Sequence, residues 1–318
     1  MAVIGIDLGG TKTAGLVLHQ GGIAERYRME TDASSQESVM RGLLEVCIRL
    51  QESAREKGIG IDALGLGIAG FIDFERGVVT DAPNHPLRDA PVRDILAEES
   101  GLPVYVDNDA NVAALAEARM GAGRGSRYLV HLTLGTGIGG GIILGGRIYR
   151  GALGAAAELG HMVIREDGPP CNCGARGCLE AMASGVAIYR RVEELAAVGH
   201  ASPLVEEFLA DPSAFTAAAV CRHADAGEDL AREILEGAGR HLGTGIASLV
   251  NIFNPDAVTL SGGLLGCFHH MEEAMNGSFR ETAIAISRRH VRILTGTLGE
   301  DGGMLGAALL PSEGIAHV

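Results

Sequence analysis

A strand hairpin closed by a glycine turn occurs twice in this chain, and no other feature restricts its fold so strongly. The first runs from the apolar stretch 2–7 (AVIGID) through Gly9-Gly10 into residues 14–18. The second runs from residues 128–134 (YLVHLTL) through a glycine loop at 135–141 into 142–144 (IIL). In both, an apolar strand delivers the chain to small residues whose backbone N–H groups can approach a ligand closely. The recurrence predicts two related halves. Glycine accounts for 47 of 318 residues and has no G-X-Y period, so its density means tight turns rather than a collagen-like rod.

The rest of the chain fills in layers around the two hairpins. Residues 23–29 continue the first as a strand after a His19–Gly22 turn. Val39, Leu43, Val46, Ile48, Leu50 and Ala54 repeat at helical spacing and predict a helix over 35–57. Strand 63–69, a strand pair at 71–80, a helix near 91–99, strand 103–106 and helix 110–120 follow. The first 118 residues therefore read β-β-β-α-β-α-β-α, an α/β layer fold. Beyond the second hairpin, 151–180 lacks a regular pattern and the chain from 185 is mainly helical, with a long helix at 227–252. Strand 257–260, helix 267–283, strand 291–294 and a last helix at 303–310 complete it. We expect domains at 1–118 and 119–302, with the C-terminal segment 303–318 packing back on the first.

Composition limits the partners. Lys plus Arg is 26 and Asp plus Glu is 40, a net charge of −14, which repels nucleic-acid backbone and anionic membranes. A local loop can still override that field for a nucleotide. No run of 18 apolar residues suits a spanning helix, and the N-terminus carries no signal-peptide pattern. Of the six cysteines, Cys171, Cys173 and Cys178 crowd together while Cys47, Cys221 and Cys267 are scattered. That is a poor disulfide framework and a plausible metal cluster in a reducing, cytoplasmic compartment.

Five motifs carry chemistry. In Asp7-Leu8-Gly9-Gly10-Thr11-Lys12 a strand-end carboxylate stands beside a phosphate cradle, an arrangement suited to Mg²⁺ held through water; an ordinary hairpin turn is the plainer alternative. Gly135-Thr136-Gly137 opens the second glycine run, which is neither a Walker loop nor a dinucleotide fingerprint but can cradle phosphate. Asp107-Asn108-Asp109-Ala110-Asn111 lies at a strand's carboxyl end, where α/β proteins bind ligands; helix capping alone needs one such residue, not four. His161 with Cys171, Cys173 and Cys178 is the Cys₃His set of a closed structural Zn²⁺ site, against three free thiols and a core histidine. Gly262 and Gly263 form a strand–turn–helix junction, equally a nucleotide contact or a plain turn.

In this order the motifs DLGGTK, VDNDAN, LGTGIGGG, AELGH, CNCGARGCLEAMASG and LSGGL resemble the ROK family of sugar kinases along the whole chain. The resemblance implies a two-domain actin-like ATPase (ribonuclease H-like) fold with an interdomain cleft. It implies transfer of phosphate from Mg-ATP to the 6-hydroxyl of a hexose, glucose first, with N-acetylmannosamine, N-acetylglucosamine or fructose as alternatives. It makes Asp109 the catalytic base and sets Asn108, Gly70, Asn84, Glu158, His161 and Glu180 against the sugar. Asp7, Gly9, Gly10, Thr11, Lys12, Gly135, Thr136, Gly137, Gly262 and Gly263 then serve the nucleotide, and the family resemblance suggests a homodimer. Where relatives often show an aromatic in the loop after Asn84, this chain reads HPLRDAPV, which leaves the exact hexose open. A sugar-sensing module without catalysis is the reading of another class, opposed by the intact Asp109 and both glycine loops.

Overall fold

The computed structural model describes residues 1–314; the end of the expected C-terminal segment, 315–318, lies outside the described residues. The strands and helices of the first half are β1 (Ala2–Leu8), β2 (Lys12–His19), β3 (Gly22–Glu30), α1 (Gln36–Glu56), β4 (Ala63–Ile68), β5 (Phe71–Asp73), β6 (Val78–Asp81), β7 (Arg88–Ala90), α2 (Val92–Ser100), β8 (Val104–Asn108) and α3 (Asp109–Arg119). Then come β9 (Leu129–Leu134), β10 (Ile138–Leu144), β11 (Arg147–Ile148), α4 (Leu179–Ala183), α5 (Gly185–Ala197), α6 (Pro203–Ala210), α7 (Ala217–Asp225) and α8 (Asp229–Phe253). The chain closes with β12 (Ala257–Ser261), α9 (Phe268–Thr282), α10 (Ala285–His290), β13 (Arg292–Thr295) and α11 (Gly302–Leu309).

Two compact units result. One comprises Met1–His131, Gly141–Ala157 and the described chain from Gly296 onward; the other comprises Leu132–Gly140 and Glu158–Thr295. Both principal sheets are five-stranded and mixed, in the orders β3-β2-β1-β4-β8 and β11-β10-β9-β12-β13. Strands β5, β6 and β7 form a separate small sheet.

Period-two alternation builds the first unit. Ile4, Ile6 and Leu8 of β1, with Leu64, Leu66 and Ile68 of β4, join Val39, Leu43, Val46 and Leu50 of α1 in one core. On the opposite face Val3 and Ala63 pack with Met304, Leu305 and Ala308 of α11 and Ala116 of α3. Gly5 and Gly65 occupy that second face, and a Cβ on either would collide with the α11 backbone at Met304 or Ala307. Their lack of a side chain is what lets α11 lie directly on the sheet. Asp7 belongs to the same face. The parallel registers set Asp7 beside Gly67 and Gly67 beside Asp107, so β1, β4 and β8 finish level at their carboxyl ends.

Two local departures from the sequence reading have simple causes. Ile138–Gly141 is strand, not loop, and the turn shrinks to Gly135–Gly137. Gly141 lies against the Ala110 carbonyl and the Ala114 methyl of α3, so its smallness serves close packing within a strand. Strand β7 carried no pattern because two of its three residues are charged and exposed; it is held by pairing with β6. No helix among the described residues is long and apolar enough to cross a membrane.

Candidate active site

Four of the five residues 107–111 are Asp or Asn, and the fold gives each a different task. Asp107 is buried and paired with Arg150, Nε to Oδ2, at 2.7 Å. Its Oδ1 accepts from the Asn111 side chain at 2.9 Å and the Asn108 amide at 2.8 Å. Asn108 is the N-cap of α3: its oxygen accepts from the amides of Ala110 and Asn111, and its Nδ2 donates to the Gly70 carbonyl at 3.2 Å. Both oxygen lone pairs are thereby used, and the amide also reaches Asp109. The capping reading is thus right for Asn108 and leaves the others unexplained. Asp109 accepts the neighbouring Ala110 amide at 2.9 Å and a hydrogen bond from the Asn108 side chain, and forms no ion pair among the described residues.

Burial raises the pKa of Asp109 above the usual carboxylate range. Burial, with the Asp109 charge second, pushes Asp7 up to about 6, while Lys12 opposes the shift weakly. A buried carboxylate whose ionisation is opposed by burial and by a neighbouring acid fits a site completed by a cation. A Cβ on Gly303 would meet the Asp7 carboxylate, so Asp7 lies against the first turn of α11, whose amide dipoles favour an anion.

The Gly9–Thr11 turn is held by its own backbone and by Thr31. Gly9 N donates to the Lys12 carbonyl, Thr31 N donates to the Thr11 carbonyl, and Thr31 Oγ1 donates to the Gly9 carbonyl, each at 3.0 Å. Gly10 and Thr11 are left exposed at its tip. Lys12 is not a free cation: its Nζ pairs with Glu300 at 3.3 Å, and Glu300 also takes Arg28 at 2.7 Å. Asn84 lies close to Gly10, with its Cβ 3.7 Å from where a Cβ on Gly10 would stand.

In the second unit the Gly135–Gly137 turn is braced from outside. Its carbonyls at Gly135 and Thr136 accept the first amides of α5, Gly185 N and Val186 N, at 2.9 and 3.1 Å. Glu180 Oε2 accepts the Ile138 amide at 3.0 Å, and a Cβ on Gly137 would strike that carboxylate. The other oxygen, Oε1, lies 3.8 Å from Cys171 Sγ. Glu180 therefore ties the glycine turn to the cysteine loop. At the β12 end, Gly262 has φ +100° and lies against the Leu134 backbone, so no larger residue fits. Gly263 beside it is open.

The sequence grouped His161, Cys171, Cys173 and Cys178, and the fold brings all four ligand atoms within 4.8 Å of one another. Cys171 Sγ lies 3.6 Å from His161 Nδ1, and Cys173 Sγ lies 3.7 Å from Cys178 Sγ. A tetrahedral zinc with bonds of about 2.3 Å to sulfur and about 2.0 Å to nitrogen has S···N edges near 3.5 Å and S···S edges near 3.8 Å. The cluster matches both. His161 presents Nδ1 to the thiols and Nε2 to Glu158 Oε2 at 3.9 Å, so a carboxylate stands behind the ligand ring where metal sites commonly place one. Gly177, at φ +67°, presses on the Arg165 carbonyl to close the loop. Ala157 has φ +67°, a conformation that costs a non-glycine residue energy, immediately before Glu158.

Two residues around Asp109 escaped sequence reasoning. Arg150 is a lone arginine in an irregular stretch, identified only by its buried partner; it also covers the Phe74 ring, 5.3 Å from the centroid. His85, in the HPLRDAPV loop, is buried, and burial lowers its pKa against the pull of the Asp109 charge.

The model described as the ROK family matches residues 3–313. A glucokinase of Thermotoga maritima is 38% identical over 99% of this chain and 98% of that protein. Among solved structures, a ROK family glucokinase of Streptomyces griseus in complex with glucose and AMPPNP is 34% identical, with TM-score 0.81 over 98% of this chain and 100% of that one. A ROK hexokinase of Thermus thermophilus is 37% identical, with TM-score 0.81 over 98% of this chain and 97% of that one.

Proposed function

The chain belongs to the ROK family, and on that premise we propose that it is an ATP:hexose 6-phosphotransferase acting on glucose. Near-full-length likeness to proteins named glucokinase supports the activity and the sugar. The observation that carries the chemistry is Asp109. It is the one carboxylate in its segment left without a counter-ion, and burial makes it a better base than a solvent-exposed aspartate.

In this reading Asp109 takes the proton from the 6-hydroxyl as that oxygen attacks the terminal phosphorus of ATP and ADP leaves. Phosphoryl transfer asks mainly for position and charge neutralisation, so the remaining residues bind and orient. Glu158, His161, Glu180, Asn84, Asn108 and the Gly70 loop take the sugar hydroxyls. Donors and acceptors of this kind penalise any sugar that leaves one of them unpaired. The turns at Gly9–Thr11, Gly135–Gly137 and Gly262–Gly263 approach the nucleotide with backbone amides. Lys12 shares its charge between Glu300 and the phosphates.

Mg²⁺ is assigned to the side of Asp7, where it neutralises charge on the phosphate oxygens when bound. Zn²⁺ is assigned to His161, Cys171, Cys173 and Cys178 as a structural ion: four protein ligands leave no open position for substrate. It fixes His161 and, through Cys171, Glu180. Grouped thiol ligands suit a reducing cytoplasm, and a homodimer completes the reading.

A coupled ADP-release assay over glucose, mannose, fructose, N-acetylglucosamine and N-acetylmannosamine, with ATP and with polyphosphate as donor, tests it. Glucose with ATP is expected to turn over best. Turnover of an N-acetylhexosamine far above glucose would overturn the sugar, and no ADP release with any of them would overturn the kinase.

A further inference from the structure

A second set of metal-ligating side chains stands in the second unit, on elements that carry neither the zinc knuckle nor any residue assigned above. Asp225 is the last residue of α7, and His269 and His270 lie in the first turn of α9. Both histidines point Nε2 at one oxygen of the same carboxylate: His269 at 2.9 Å and His270 at 2.8 Å from Asp225 Oδ1. The two imidazole rings are 4.0 Å apart between centroids. The three ligand atoms all lie within 4.8 Å of one another.

From these contacts we propose a binding site for a divalent transition metal at Asp225, His269 and His270, separate from the Cys₃His loop. Two imidazoles and a carboxylate suit zinc, nickel, copper or iron, and they do not suit the harder Mg²⁺ or Ca²⁺, which demand oxygen. The spacing fits as well. Ligands about 2.0–2.1 Å from an ion stand about 2.9 Å apart across an octahedral edge and about 3.3 Å across a tetrahedral one. The two nitrogen–oxygen edges match the octahedral value with no movement of either helix. Asp225 and His269 are more than half exposed while His270 is mostly covered, so three protein ligands occupy one side and water completes the other.

The dipoles of the two helices oppose each other here. The negative end of α7 favours a cation and the positive end of α9 disfavours it, so the affinity comes from the coordination bonds themselves. Cys267 Sγ already reaches the Ala217 carbonyl at 3.9 Å, joining the two segments at their buried side. A bound ion would clamp the end of α7 to the start of α9 on the solvent side.

The test is a count of zinc per chain after dialysis of the intact protein against buffered, low-micromolar free Zn²⁺, with metal read by elemental analysis. Wild type should hold one equivalent more than a His269→Ala/His270→Ala double variant. Cys173→Ser should keep the equivalent that the double variant loses, whatever happens at its own loop. Asp225→Asn should weaken that equivalent by no less than the roughly 10–100-fold seen when even an outer partner of a metal ligand is removed. Because His269 and Asp225 are exposed, the histidine double variant and Asp225→Asn should fold; unchanged circular dichroism and glucose turnover in those two would confirm it. Equal zinc in wild type and the double variant would overturn the proposal, as would an extra equivalent that survives all three substitutions.

Discussion

Asp107–Asn111 in the first unit and Glu158–Glu180 in the second are both crowded with polar side chains, and they use them in opposite ways. In the second, nearly every group has a matched neighbour: His161 between Cys171 and Glu158, Cys173 against Cys178, Glu180 between the Ile138 amide and Cys171. In the first, Arg150 and the α3 cap satisfy Asp107 and Asn108, while Asp109 is left near a second unpaired carboxylate, Asp7. Matched groups produce a rigid scaffold. An unmatched buried carboxylate produces a base with a raised pKa. On the proposed function, reaction belongs to the first region and positioning to the second, and variants in each should separate the two.

The largest effect is expected at Asp109. Asp109→Asn keeps size and hydrogen bonding but cannot accept a proton, so kcat should fall by about 10²–10⁴ in steady-state assays. Arg150→Met comes next. It strands a buried Asp107, and breaking a buried pair costs about 3–5 kcal/mol, read as a lowered urea midpoint. Adding Asp107→Asn to it should recover much of the loss, since the neutral amide needs no counter-ion.

Asp7 should show the price of keeping an unmatched acid. Its pKa rises from the ordinary 3.8 to about 6, so the native state holds the proton more tightly than the unfolded chain. The stability this contributes is full below 3.8 and is lost as pH rises through about 6. Measured without Mg²⁺ at pH near 8, Asp7→Asn should therefore be more stable than wild type by as much as about 3 kcal/mol, at 1.36 kcal/mol per pH unit. The advantage should shrink as the pH is lowered toward 4, while activity stays lost throughout. An advantage that grows in acid would show that the sign is wrong.

Cys173→Ser acts on the other region and should have the smallest effect of the four on chemistry. Zinc should be lost and the sugar KM raised about 10–100-fold, the range for disturbed metal shells. Nucleotide affinity should stay near wild type, as measured by titration with a non-hydrolysable ATP analogue. Nucleotide binding lost in parallel would indicate general misfolding.

Much of the fold and of the site is legible in the sequence. Alternation in β1 and β4, the helical spacing of Val39 to Ala54 and the Cys₃His ligand types all report local physics, and local physics is what a sequence records. Other features were hidden because they depend on partners far along the chain. Arg150 is 43 residues from Asp107. Glu180 is 42 residues from Ile138, and Lys12 is 288 from the Glu300 that pairs with it. The glycines at 139–141 are ambiguous for a related reason: glycine signals a turn and a close approach alike, and only α3 behind Gly141 decides between them.

The most direct test titrates glucose by calorimetry into wild type, Asp109→Asn and Cys173→Ser, with kcat measured on the same preparations. The account predicts that Asp109→Asn binds glucose close to wild-type affinity while turnover collapses, and that Cys173→Ser binds glucose poorly. Near-normal turnover in Asp109→Asn, or glucose binding as poor there as in Cys173→Ser, would contradict the division between a reacting region and a positioning one.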